Sequence, residues 1–269
     1  MNFTNWLNFQ FMRNAILAIL IITPLFGIIG TMIINKKMAF FSDALGHSAL
    51  TGIAVGVICG MKNLNISMII FAVIFALLLN KISKNSSASK DTIISVFSSC
   101  SVAIGLAILS KGGNFSQYSS MLVGDVLSIT SKEIVYLAVI FLSTIIFWIF
   151  ASNELNAIAI HKTLAKSKNI KVELLENLFA VFVALIVTVS IKWVGILIIN
   201  ALIILPAAAS RNMAENLREY HLFSVIIALF SGVLGLWSSY YTNVATGPMI
   251  VIIASVIYFL TYIFGKKNK

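Results

Sequence analysis

The feature that most constrains this chain is a succession of long apolar runs. Nine of them reach or approach spanning length, at about 12 to 34, 43 to 60, 64 to 81, 91 to 109, 133 to 152, 173 to 191, 194 to 210, 221 to 241 and 248 to 264. The hydrocarbon core of a bilayer is about 30 Å thick, and roughly 20 residues of helix rising 1.5 Å each will cross it. Hydrophobic residues make up 59% of the chain and charged ones only 10%; a soluble domain carries about 25% charged residues and cannot hide so much apolar surface. The expected fold is therefore all-α, a polytopic transmembrane helical bundle of eight to nine spans forming one membrane domain over residues 1–269. The second and seventh runs are the weakest, and a count of eight would make one of them re-entrant.

A net charge of +10 would suggest nucleic acid as a partner of a soluble protein. Here the basic residues sit in short clusters between apolar runs, which reads instead as topology, with anionic membrane lipid as their neighbour and no nucleic-acid role. With nine spans, one side holds Lys36, Lys37, Lys81, Lys84, Lys90, Lys162, Lys166, Lys168, Lys171, Arg211, Arg218, Lys266, Lys267 and Lys269. The other holds Arg13, Lys62, Lys111, Lys132 and Lys192. The richer side is expected to face the cytoplasm, which puts the N-terminus outside and the C-terminus inside. The N-terminal segment has no basic region ahead of a short apolar core and no small-residue cleavage site, so a cleaved signal peptide is not expected.

Three connections are longer than turns. Residues 82–90 are rich in Ser and Lys and read as a mobile cytoplasmic loop. Residues 110–132 lie outside and carry MLVGDVL, too short to cross and expected to form an interfacial or re-entrant helix. Residues 153–171 alternate apolar and basic positions at helical spacing; Leu155, Ile158 and Leu164 are expected to share one face of a helix lying across the cytoplasmic surface.

Ionisable residues are nearly absent from the spans, and the exception is FFSDALGHSALTG. Asp43 and His47 stand four residues apart, so on a helix they share a face and can clamp one cation between carboxylate oxygen and imidazole nitrogen. Ionisable groups at membrane depth mark a pathway or binding site by default. The competing reading is that the two merely satisfy each other at a helix end, with Asp43 as an N-terminal cap. Ala44, Gly46, Ser48, Ala49, Gly52, Ala54 and Gly56 around them let another helix approach closely. Asp125 is read as the cap of a short helix, with attraction of an arriving cation as the alternative. His161 and His221 fall in or beside loops and read as solvated or interfacial. Pro24 and Pro206 should kink or break their spans. Asn200 is placed to bond a neighbouring helix. Cys59 and Cys100 lack metal-site spacing and read as small packing residues.

No HExxH, GxSxG or GxxxxGK[ST] is present, so no zinc-protease, serine-hydrolase or phosphate-loop chemistry is expected of this chain. Transport driven by ATP would need a separate ATPase subunit.

The segment MAFFSDALGHSALTGIAVGV resembles the signature of permease subunits of the zinc, manganese and iron uptake class of ABC transporters. KDTIISVFSSCSVAIGLAIL, MLVGDVLSIT and WVGILIINALIILPAAAS match in the same order, and YTNVATGPMIVI resembles the family's end. The resemblance runs from about 12 to 264 and implies an integral protein of the bacterial plasma membrane. It implies that Asp43 and His47 contribute to a metal site in the translocation path, and that residues 155–172 include the coupling helix that engages a cytoplasmic ATP-binding cassette ATPase. The family pattern there meets Leu164, Ala165, Asn169, Ile170 and Val172, with Asn169 in place of the usual Gly. Asn tolerates the left-handed backbone such a turn needs. Ser42 stands for the Gly before the aspartate, and Leu50-Thr51-Gly52 for Leu-Pro-Gly, which implies a softer kink.

The resemblance also implies a homodimer or pseudo-dimer fed by an extracellular or periplasmic metal-binding protein. No bound cofactor is implied, only the transported ion. Two ligands fall short of the four to six a divalent metal takes, so the rest must come from waters, other spans or a second subunit. Oxygen and nitrogen donors suit zinc, manganese or ferrous iron, and copper(I) poorly. A proton-coupled secondary transporter and a non-transporting structural membrane protein are the alternatives.

Overall fold

A computed structural model describes residues 9–85, 88–111 and 120–265. The described residues form eleven α-helices and no strand. In chain order these are α1 (Gln10–Asn35), α2 (Phe41–Ile58), α3 (Leu64–Asn85), α4 (Lys90–Lys111), α5 (Ser120–Val123), α6 (Ser131–Ile160), α7 (Lys162–Ser167), α8 (Val172–Val194), α9 (Ile196–Arg211), α10 (Leu217–Thr242) and α11 (Thr246–Phe264). Eight are long and apolar enough to cross a membrane, and α9 is a shorter apolar helix. The expected polytopic α-bundle is present, with α9 as the weak seventh run. The N-terminal segment read for a signal peptide, part of the 110–132 connection and Lys266, Lys267 and Lys269 lie outside the described residues.

The helices sort into a packed centre and a lipid-facing rim. Within the most apolar window, 72% of α2 and 67% of α1 is buried, against 17% for α6 and for α11. On α6 the exposed side chains Val135, Val139, Leu142, Ile146 and Ile149 recur every three or four residues, an apolar stripe with no partner among the described residues. Only hydrocarbon solvates such a stripe without penalty, so the protein is an integral membrane protein.

The central crossings depend on small residues. A Cβ on Gly30 of α1 would lie 2.0 Å from the Ile203 carbonyl oxygen of α9. Gly52 of α2 lies against the backbone of α3 at Met68, and Gly105 of α4 against Thr51 of α2. The small-residue face read around Asp43 is therefore used as expected. Pro24 and Pro206 break neither helix; α1 and α9 run through them.

Two sets of contacts mark opposite ends of the bundle. At one end Asn14 donates to the Ile129 carbonyl at 3.3 Å, and Lys192 Nζ lies 2.6 Å from Glu133 Oε1. Gly124 and Gly195 pack backbone to backbone there, at φ 72° and 92°, in space that admits no side chain. At the other end Lys84 pairs with Glu173 at 3.0 Å, Lys162 with Glu176 at 2.8 Å, and Asn212 donates to Thr261 Oγ1 at 3.3 Å. Helix α9 starts beside Gly124 and finishes at Asn212, so it joins the two ends although its 16 residues rise only about 24 Å.

Two expected loops are shorter than read. Helix α3 continues to Asn85 and α4 starts at Lys90, so the connection read over 82–90 is helical at both ends; residues 86–87 lie outside the described residues. Helix α6 continues to Ile160 because nothing from Asn153 onward breaks it, and Leu155 and Ile158 extend its buried face. The surface helix is only α7, six residues long. Leu164 on it is 59% exposed, so it shares no face with Leu155 and Ile158.

Candidate metal site

Helix α2 begins after the Lys36-Lys37 turn. Its N-cap is Phe40, which supplies no side-chain hydrogen bond, and Asp43 lies in the first turn without capping it. Asp43 and His47 are neighbours on one face, with His47 Nε2 3.6 Å from Asp43 Oδ1. That separation is too long for a hydrogen bond. Neither side chain has another polar partner among the described residues.

The opening suits chelation. An ion about 2.1 Å from each atom would subtend an angle of about 118° over 3.6 Å, close to a tetrahedral arrangement. The side chains are 34% exposed for Asp43 and 26% for His47, on a groove of about 560 Å³ between α2 and α4. Ser95, Ser98 and Ser99 of α4 line its far wall. These serines went unread in the sequence, although three hydroxyls at positions i, i+3 and i+4 of an apolar span were the available signal. Among the described residues no third carboxylate, imidazole or thiolate joins the pair.

Contacts on either side of the pair along α2 hold it in place. Ser42 Oγ donates to Asn200 Oδ1 at 2.5 Å, tying the start of α2 to α9 in the role expected for Asn200. One turn beyond His47, the Thr51 hydroxyl donates to the Ser101 carbonyl of α4. Thr51 sits where the resembling family carries proline, and α2 runs unbroken through it.

The remaining candidates fall elsewhere. Asp125 accepts from the Leu127 amide at 3.0 Å and caps the turn Val126–Ser128, as expected. His161 is exposed, and its Nδ1 accepts from the Leu164 amide at 3.2 Å to start α7. His221 is half-buried near the start of α10 rather than free in a loop. Helix α10 starts at Leu217, which turns His221 inward to Thr31 Oγ1 at 2.7 Å and edge-on to Trp148. Cys59 and Cys100 are free and exposed, so they do not pack the interior as read. Asn169 takes φ 58°, the left-handed turn anticipated from its place in the pattern.

Comparison with known proteins agrees with this architecture. Residues 8–265 match the sequence model described as the ABC 3 transport family. The chain is 28% identical over 258 residues to the high-affinity zinc uptake system membrane protein ZnuB of Haemophilus influenzae, covering 94% of this chain and 97% of that one. It is 25% identical over 265 residues to the manganese transport system membrane protein MntC of Listeria monocytogenes, covering 97% and 93%. Among solved structures it matches PsaBC from Streptococcus pneumoniae, determined in complex with Fab, with a TM-score of 0.86 and 25% identity over 99% of this chain and 96% of that one.

Proposed function

The chain belongs to the ABC 3 transport family, and on that premise we propose that it is the membrane-spanning subunit of an ATP-driven importer carrying a divalent metal ion, zinc first and manganese or ferrous iron next, into the cytoplasm. The observation that carries the proposal is the Asp43–His47 pair: two metal-ligating groups, open to each other at 3.6 Å and otherwise without polar partners, in a bundle nearly devoid of ionisable side chains. Named relatives transport zinc in one case and manganese in another, which supports the class of cargo and leaves the order of preference to the donors. A carboxylate and an imidazole serve all three ions.

The pair opens sideways onto the α2–α4 groove rather than into a closed cage. We assign the missing ligands to the same pair on a second copy, with groove against groove in a homodimer. The basic end of the bundle, with Lys36, Lys84, Lys90 and Lys162, faces the cytoplasm, and the N-terminus lies outside. Helix α7 then projects toward the ATPase, with Ala165 buried against the bundle and Leu164, Lys166 and Lys168 exposed. The end carrying Asp125 receives the ion from an external metal-binding protein.

The test is uptake of radioactive zinc and manganese in cells lacking the native transporter. Asp43→Ala/His47→Ala should abolish uptake while the chain still reaches the membrane. Uptake at the unsubstituted rate by that variant refutes the assignment. Uptake that survives loss of the ATPase and collapses with the proton gradient would favour a secondary transporter.

A further inference from the structure

At the end of the bundle opposite Gly124 and Gly195, a second pocket of about 540 Å³ opens between the ends of α1 and α3, the starts of α2, α4 and α8, and α7. Five lysines face it, Lys36, Lys84, Lys90, Lys162 and Lys166, against two carboxylates, Glu173 and Glu176. The carboxylates are already engaged. Glu176 Oε2 lies 2.8 Å from Lys162 and 3.9 Å from Lys84, and Glu173 Oε1 lies 3.0 Å from Lys84.

Lys36, Lys90 and the exposed Lys166 are left without an ion pair among the described residues. Lys36 is only 8% exposed; its ammonium lies 5.0 Å from the centre of the Phe179 ring and reaches no hydrogen-bond acceptor among them. Ser83 contributes a buried hydroxyl that has no partner among the described residues. A buried ammonium and a buried hydroxyl, on two residues that line one cavity and both unsatisfied among the described residues, suit an anion with several acceptor oxygens. Burial pushes the Lys36 ammonium down to about 8, a cost that Glu176 only partly offsets and an anion would relieve.

We propose that this pocket binds the phosphate of an anionic phospholipid headgroup, held by Lys36, Ser83 and Lys90. Position and lining favour a lipid over a free ion. Lys36 directly follows α1, Lys84 is in the last turn of α3 and Lys90 begins α4, so the lysines stand where membrane headgroups lie. Met38, Phe41 and Phe179 give the same cavity an apolar wall, suited to a glycerol backbone and the first methylenes of its chains. A bound headgroup would brace the ends of α1, α3 and α4 against the Lys162–Glu176 pair that seats α7.

The full chain, purified into neutral detergent, would be titrated with short-chain phosphatidylglycerol and with short-chain phosphatidylcholine, and the complexes counted by native mass spectrometry. One phosphatidylglycerol per chain should bind at least tenfold more tightly than phosphatidylcholine. Lys36→Met should weaken the anionic lipid at least tenfold and leave the neutral one unchanged. Lys90→Met provides the same reading if the first variant does not fold, and Lys168→Met, outside the pocket, should bind like the unsubstituted chain. Displacement of the lipid by millimolar inorganic phosphate would support the anion site with the free ion as its occupant; resistance to it supports the lipid. Equal binding of the two lipids, or unchanged phosphatidylglycerol binding in both Lys36→Met and Lys90→Met, would overturn the proposal.

Discussion

Replacing Lys36 by Met should stabilise the fold, by an amount the structure sets. The Lys36 ammonium is driven from 10.5 to about 8, first by burial; Glu176 opposes that shift, and Lys90, Lys162 and Lys84 reinforce it. The gap corresponds to about 3 kcal/mol. The sign follows from the order of proton loss. Below pH 8 the group is charged in both folded and unfolded chains, and the folded state carries the full cost. Between about 8 and 10.5 the folded state loses its proton first and the cost fades; above 10.5 it is gone. Met keeps the length and apolar body of the side chain and forfeits only the cation–π contact with Phe179, worth about 1 kcal/mol. The net gain near pH 7 is therefore about 2 kcal/mol, with the melting temperature raised by several degrees. Thermal unfolding would be followed in neutral detergent free of anionic lipid, at pH 7 and pH 10.5. A gain at pH 7 that vanishes at pH 10.5 is expected; destabilisation at pH 7, or a gain independent of pH, refutes the reasoning.

Three further perturbations test helix packing and turn geometry. Gly30→Val drives a side chain into the Ile203 carbonyl and should cost on the order of 3 kcal/mol, read as loss of folded protein on mild heating. Asn169→Gly should be nearly neutral at φ 58°, whereas Asn169→Val should cost about 1–2 kcal/mol and weaken ATPase docking measured by co-purification. Thr51→Val leaves the Ser101 carbonyl without its buried donor, costs about 1–3 kcal/mol in thermal unfolding, and should loosen α4 against α2.

The spans were legible because hydropathy and length act on each segment separately, and α2 or α8 shift by only a few residues from the expected bounds. Helix ends were harder. Asn153–Ile160 reads as part of a separate surface helix because Glu154 and two asparagines interrupt the apolar run, yet no Pro or Gly stops the membrane helix, and Leu155 packs at zero exposure. The same weakness set the start of α10 late: Arg218 and Glu219 look like a loop, and only the Asn216 cap reveals that the helix has already begun. Which face of a span meets protein was not legible either. Lipid and core are both apolar, so Cys100 on the rim and Ala103 in the groove read alike. Asp43, His47 and Asn200 were legible because polar groups at membrane depth are rare enough to stand out. Their shared geometry through Ser42 was not, since it depends on a contact 158 residues apart.

The account stands or falls on whether Asp43 and His47 ligate the ion, and metal spectroscopy reports this directly. Manganese(II) titrated into the purified full chain should give an electron paramagnetic resonance spectrum distinct from the hydrated ion, with nitrogen coupling from an imidazole. His47→Gln should erase the nitrogen coupling, and Asp43→Asn should weaken binding at least tenfold. Nitrogen coupling that persists unchanged in His47→Gln, with full affinity in Asp43→Asn, would place the ion elsewhere and contradict the account.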